Sequence, residues 1–325
     1  MHRLLVLACL STTLACSPAV AASGDRQAAT ALVQANGVQL AYRIAGPAKG
    51  RPLLLIAGTG MQLIEWPPEL IDRLARAGFR VIVFDNRDAG TSTHFSRAGS
   101  PDWAAIFGAL GAGKKPDLPY TADDMAKDAV ALLDQLGIAR ADLLGISGGA
   151  TIAALVAEAR PERVRSLNLI AANSGNPQIP MPADPATLSA IPQPSPNDGA
   201  PQVLARRLAS YRALAGRASG FDADAARQLI ERTVARDADP VGFARQGAAM
   251  LVLGDLRPRL AKIQTPTLVI HGGDDPLISP KSGQEVADTI AGARFMTIEG
   301  MGHDLPAGKG AAIVSAVKAN AARAR

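Results

Sequence analysis

Ser147 stands between Gly145 and Gly149 in the stretch Leu143-Leu-Gly-Ile-Ser-Gly-Gly-Ala150. A serine hydroxyl is a weak nucleophile until a neighbouring base takes its proton. Small residues two places to either side let the backbone turn sharply enough to push that hydroxyl clear of the chain. The base is normally histidine, and the sequence has four: His2, His94, His271 and His303. His303, in Glu299-Gly-Met-Gly-His303-Asp304, is the one that follows both the serine and a suitable acid, the chain order that goes with a strand-to-helix serine elbow. The acid is read from His271-Gly-Gly-Asp-Asp-Pro276, with Asp275 the choice and Asp274 the runner-up. Its task is to fix the histidine tautomer and stabilise the imidazolium. His271 is read as ending a strand and holding the turn, and Asp304 as solvated. Attack on a carbonyl also needs donors for the oxyanion: the N–H of Gly148, just after the nucleophile, and that of Thr59 in Ala57-Gly-Thr-Gly-Met61. Such a set performs acyl transfer on an ester, thioester, lactone or amide.

These side chains are far apart in sequence, so the fold has to gather them. Residues 29–45 alternate with period two on either side of Asn36-Gly37 and predict a β-hairpin. Pro52 to Ala57 and Arg80 to Phe84 are short, continuously apolar runs that suit strands buried on both faces. Pro67 to Ala77 has helical spacing, and Thr121 caps a second helix through Leu136. Then come a strand at Asp142 to Ile146, a helix at Gly149 to Arg160 and a strand at Ser166 to Ala171. Near the end follow a strand at Thr265 to His271, a helix at Lys281 to Ile290, a strand at Ala293 to Ile298 and a helix at Gly308 to Ala321. Strands alternating with helices predict an α/β fold with a doubly wound, mostly parallel sheet. The loops carrying Thr59, Ser147, Asp275 and His303 then open at one edge of it.

Residues 176–202 break the rhythm with eight prolines, too many for a sheet or a helix interior. Helical patterns follow at 203–216, 223–236 and 240–252. The expected organisation is a core of residues 26–174 and 262–325 with a helical lid insertion at 175–261, entered through a loose proline-rich segment. Met61, Trp66, Met181 and Leu188 are candidate apolar walls for a pocket beneath it. Residues 1–21 read as a signal peptide: His2 and Arg3 precede an apolar run, Leu4 to Ala15, too short for a comfortable span, and Ala19-Val20-Ala21 offers a cleavage site. Export to the periplasm or beyond is expected. Leu14-Ala15-Cys16 loosely resembles a lipoprotein signal, which leaves a lipid anchor on Cys16 as the lesser alternative. Both cysteines, Cys9 and Cys16, fall in this segment, so cleavage leaves no thiol for a disulfide, a nucleophile or a metal site.

The composition fits a folded chain with a sizeable, mostly aliphatic core: 325 residues, 48% hydrophobic, only 4% aromatic, with a dispersed net charge of +5. No long basic run asks for a nucleic-acid partner, and no later stretch is long and apolar enough for a stable membrane span. No metal-ligand cluster or phosphate loop is evident. Gly58-Thr-Gly60 is no dinucleotide fingerprint, because Leu63 holds the third glycine's place. No cofactor is expected, and the oligomeric state is not legible.

Four patterns in order carry a resemblance: Leu53-Leu-Leu-Ile-Ala-Gly-Thr-Gly60, Phe84-Asp-Asn-Arg-Asp-Ala-Gly-Thr-Ser92, the Leu-Leu-Gly-Ile-Ser-Gly-Gly run, and the His-Gly-Gly-Asp-Asp and Gly-Met-Gly-His pair. Over nearly all its mature length the chain resembles the α/β-hydrolase superfamily. Trp66-Pro, Asp85 to Ser92 and Tyr120-Thr-Ala-Asp-Asp-Met125 are similar to its aclacinomycin methylesterase-like group. The resemblance implies cofactor-free cleavage of a small-molecule ester, with Asp85, Arg87, Gly90 and Ser92 holding a structural turn. His94, which follows that turn, is read as a solvated loop residue, with a place at the pocket edge as the alternative. Two departures stand out: Ala57-Gly58 replaces the usual His-Gly, and the export signal is foreign to an antibiotic-tailoring enzyme. Serine at the elbow, where related epoxide hydrolases and dehalogenases carry aspartate, favours a carbonyl substrate. Amide, peptide or C–C bond hydrolysis and cofactor-free perhydrolysis are alternatives on the same residues, and a non-catalytic binding protein is the alternative of another class.

Overall fold

A computed structural model describes residues 29–324 apart from 193–194 and 218–219. The expected leader, with Cys9, Cys16 and the Ala19-Val20-Ala21 site, lies outside the described residues. The hairpin forms as its sequence predicts: β1 (Ala31–Ala35) and β2 (Val38–Ala45) pair antiparallel about Asn36-Gly37, whose φ angles of 49° and 77° are those of a tight turn with the hand of the strands. β3 (Arg51–Ile56), β4 (Phe79–Phe84), β5 (Ala141–Ile146), β6 (Val164–Ile170), β7 (Thr267–Gly272) and β8 (Arg294–Ile298) complete an eight-stranded sheet. Its order is β1-β2-β4-β3-β5-β6-β7-β8, and every pairing from β4 onward in that order is parallel.

The central strands are buried on both faces, which is why they read as unbroken apolar runs. In β3, Leu54 and Ile56 face one hydrophobic layer, while Leu53 and Leu55 face the other. The first layer is closed by α3 (Ala122–Gln135), α4 (Gly148–Ala159) and α10 (Pro280–Thr289), and the second by α1 (Pro68–Arg76) and α11 (Gly310–Ala321). Burial of aliphatic side chains at about 25 cal/mol per Å2 drives this assembly. Local signals set the boundaries. Thr121 and Asp124 form a reciprocal capping box that starts α3, and Gly78 and Gly137 take positive φ just past helix ends.

Between β6 and β7 the chain runs through α5 (Pro185–Ser189), α6 (Ala200–Leu214), α7 (Ala223–Arg236), α8 (Gly242–Leu251) and α9 (Arg257–Leu260). The last three helical patterns of the insertion match α6, α7 and α8. The described part of the proline-rich entry is tied to its surroundings at several points. Pro185 and Pro201 sit in first helical turns, where a missing N–H costs nothing, and the N–H groups of Ala183 and Asp184 donate to Leu277 and Pro276, beside Asp275. A further helix, α2 (Trp103–Gly111), was not foreseen. It is capped by Asp102, and of its residues only Ile106 is buried. No helix among the described residues is long and apolar enough to cross a membrane.

Candidate active site

The C-terminal ends of β3, β5, β7 and β8 share one edge of the sheet, and each delivers one part of the site. β5 ends at Ile146, and Ser147 is forced to φ 54°, ψ −122° before α4 begins. Few side-chain-bearing residues hold this conformation. The two glycines make it sterically possible: a Cβ on Gly145 would lie 2.2 Å from the Gly149 carbonyl oxygen, and one on Gly149 would lie 2.1 Å from that of Ile56. The positive end of α4 is thereby aimed at the serine.

The loop after β8 brings His303 to the serine, and the loop after β7 brings Asp275 to the histidine. His303 Nε2 lies 2.9 Å from Ser147 Oγ, and His303 Nδ1 lies 2.8 Å from Asp275 Oδ2. The other oxygen of Asp275 accepts from the N–H groups of Leu277 and Ile278, both at 2.9 Å. Burial by itself would raise the Asp275 carboxyl. The contacts from His271 and His303 and the Ile278 N–H outweigh it and hold the group well below the usual carboxylate range. An ionised Asp275 accepts from Nδ1–H, which leaves Nε2 bare and facing the hydroxyl, the tautomer needed for proton abstraction. Asp274 is only half-buried and makes its contact through its backbone, to Met301, so the acid facing the imidazole is Asp275. His271 is fully buried at the end of β7, with Nε2 2.9 Å from the Ile278 carbonyl and 3.4 Å from Asp275 Oδ2. It braces the acid's turn, as expected.

Thr59 is brought against Gly148: a Cβ on Gly148 would meet Thr59 Oγ1 at 2.3 Å and Thr59 N at 3.2 Å. Neither N–H takes part in a turn, loop or cap hydrogen bond among the described residues. Thr59 and Gly148 therefore lie side by side next to Ser147, despite Ala57-Gly58 in place of His-Gly.

The chain also matches the family model described as alpha/beta hydrolase fold over residues 51–307. The chain belongs to this α/β-hydrolase family. It is accordingly a hydrolase, and the fold described above is the family's fold. A rhodomycin D methylesterase of Streptomyces sp. (strain C5) is 31% identical over 306 residues, covering 85% of this chain and 93% of the relative. That of Streptomyces peucetius is 31% identical over 284 residues, covering 78% and 85%. Among solved structures, a hydrolase from Pseudomonas aeruginosa PA01 aligns with a TM-score of 0.64 at 26% identity over 92% of this chain and 99% of that one. The enol-lactonase of Burkholderia xenovorans LB400 (TM-score 0.66, 23% identity, 89% of this chain and 99% of that one) shares the fold.

The outer residues of the site are placed less as the sequence suggests. Trp66 is fully buried in the layer beneath α1 and α11, and Met61 packs against that layer. Trp66 is thus a core residue here rather than an open wall. Met181 and Leu188 are exposed, and Met181 Sδ lies 3.4 Å from Asn173 Nδ2. Asp304 is not simply solvated: it accepts from the Gly302 N–H at 2.9 Å, and its partial burial raises its carboxyl.

His94 is not solvated either. It lies 3.1 Å from Asp239, 3.6 Å from Asp237 and 4.0 Å from Asp88, and its Nε2 also reaches the Gly90 carbonyl. The Asp239 hydrogen bond raises it to about 9 against the opposing effect of burial, with the charge of Asp237 adding to the rise. Arg245, on α8, supplies a second cation to this cluster, pairing with Asp88 at 2.8 Å and Asp239 at 2.6 Å. Nothing local in the sequence announces Asp237, Asp239 and Arg245, which lie some 150 residues beyond His94.

Proposed function

We propose that the protein cleaves carboxylic esters through a covalent acyl-enzyme on Ser147. Ser147 Oγ attacks the ester carbonyl carbon as its proton passes to His303 Nε2. The carbonyl π electrons move to the oxygen, which is met by the N–H groups of Thr59 and Gly148. Collapse of this tetrahedral species breaks the C–O bond, and the departing alkoxide takes the proton from His303. Water then attacks the acyl-serine, giving its proton to His303 and returning it to Ser147 as the acid leaves. Asp275 stays ionised throughout and stabilises the imidazolium. Each oxyanion donor is worth roughly 3 kcal/mol in comparable sites.

The observation that carries this reading is the unbroken relay Ser147–His303–Asp275, with contacts of 2.9 and 2.8 Å. The methylesterase relatives support an ester as the substrate class. Export, with removal of residues 1–21, is part of the same proposal, and mass spectrometry of the mature N-terminus tests it. The function is tested with short-chain p-nitrophenyl esters. Wild type is expected to release nitrophenolate, and Ser147→Ala is expected to lose at least about a thousandfold in kcat. Equal release by both proteins would exclude Ser147 as the nucleophile.

A further inference from the structure

The turn that presents Thr59 is held by residues of the insertion. Gly58, Thr59, Gly60 and Met61 form a β-turn closed by the Met61 N–H on the Gly58 carbonyl at 3.0 Å, with Gly60 at φ +72°. A positive φ at the third position, after a threonine in the ordinary negative region, is the signature of a type II turn. Glycine at the third position favours this turn by itself, because it meets no penalty at φ > 0. Where the turn sits against the neighbouring strands is left to external contacts.

The first such contact comes from α8. Gln246 is fully buried, its Oε1 accepts from the Gly60 N–H at 2.7 Å, and its Nε2 donates to the Arg87 carbonyl at 2.6 Å. The Gly60 N–H belongs to the peptide that joins Thr59 to Gly60, so this contact holds the turn directly beside Thr59. One α8 turn earlier, Phe243 lies over the same residue, so that a Cβ on Gly60 would meet its ring at 2.7 Å. From α6, Arg207 donates to the Gly60 carbonyl at 3.1 Å and is itself anchored on buried Glu65. Both polar groups of Gly60 are thus taken up by the insertion, and the N–H of Thr59 is left for the reaction.

We propose that Gln246 is a positioning residue: its buried carboxamide pins Gly60, and with it the Gly58–Met61 turn, to α8 and so holds the neighbouring Thr59 N–H beside Gly148. Ground-state ester binding does not call on this donor as strongly as the tetrahedral species does, so loss of the lock falls on kcat rather than on KM. The inference rests on the esterase reading above, and the experiment separates the two.

Gln246→Met keeps the length and volume of the side chain and removes both hydrogen bonds. With a p-nitrophenyl ester, kcat is expected to fall about 10- to 100-fold while KM changes less than about threefold. Inhibition by a boronic acid, whose tetrahedral adduct places an oxygen in the oxyanion position, is expected to weaken by the factor lost from kcat/KM. Amide hydrogen exchange of the 58–61 peptide, which needs no substrate, is expected to quicken at least about tenfold. Phe243→Ala, at a largely exposed position, removes the apolar half of the clamp without emptying the core. It is expected to show the same pattern at smaller amplitude and serves if Gln246→Met does not fold. A folded Gln246→Met with unchanged kcat, or with unchanged exchange at 58–61, would overturn the proposal. So would a fall confined to thermal stability. Quickened exchange in a protein whose wild type hydrolyses no ester would retire the esterase reading and the catalytic role with it, leaving a structural clamp.

Discussion

At the scale of single residues, the chemistry depends on protonation states that the surroundings enforce. Asp275→Asn keeps the shape of the acid but lets the amide donate to His303 Nδ1, which favours the wrong tautomer. We expect kcat to fall by about a thousandfold or more with little change in KM, read from steady-state kinetics of the folded variant. His94 shows the opposite sign. Its folded value is raised from 6.5 to about 9 by Asp239 and Asp237, so its contribution to stability is complete below pH 6.5 and is lost as pH rises through 9. The thermal midpoint of wild type is expected to drop between pH 7 and 10 more steeply than that of His94→Gln, as differential scanning calorimetry would record. Equal slopes would contradict the ionic account of this residue. Ser147 stood out because glycines flank it at a strand-to-helix junction, and His303 because only four histidines compete. The partners of His94 were not legible, because ion pairs between a core loop and the segment joining α7 to α8, some 145 positions later, leave no periodic trace.

At the scale of elements, what matters is how the inserted helices grip the core. Arg207 on α6 reaches Glu65, Arg236 on α7 reaches Asp85, and Arg245 on α8 reaches Asp88, and all three carboxylates belong to the β3 and β4 loops. The His303 loop is gripped too, its N–H donating to the Leu214 carbonyl at the end of α6. Removing one partner of a buried pair leaves the other charge uncompensated. Arg245→Met is therefore expected to cost about 3–5 kcal/mol, measured by urea unfolding. The elbow gives a complementary test. Gly149→Ala would press a methyl group onto the Ile56 carbonyl, so a lower melting temperature and loss of hydrolysis are expected together. The sequence announced the helices of the insertion through their periodicity. Their arginine anchors were silent, since an arginine facing a distant carboxylate looks like any surface charge. The exposed apolar helix α2 was missed for a related reason: one buried residue makes no pattern.

At the scale of the whole molecule, the account is one of convergence. A parallel sheet buried on both faces sends four loops to a common edge, and the two hydrophobic layers hold that edge rigid. The alternation of apolar runs with helical spacing made the mostly parallel sheet readable, whereas the order of its strands comes from the structure alone. What could not be read was the closeness of approach among the loops. The Gly145–Gly149 and Thr59–Gly148 contacts depend on backbone packing between strands that the sequence separates widely. The most direct test of the central claim is mass spectrometry after exposure to a fluorophosphonate, which traps a serine activated by a neighbouring imidazole. A single adduct on Ser147 in wild type is expected, with none in Ser147→Ala and labelling slowed at least about a hundredfold in His303→Ala. An adduct on another residue, or labelling as fast without His303, would contradict the claim that these side chains act as one relay.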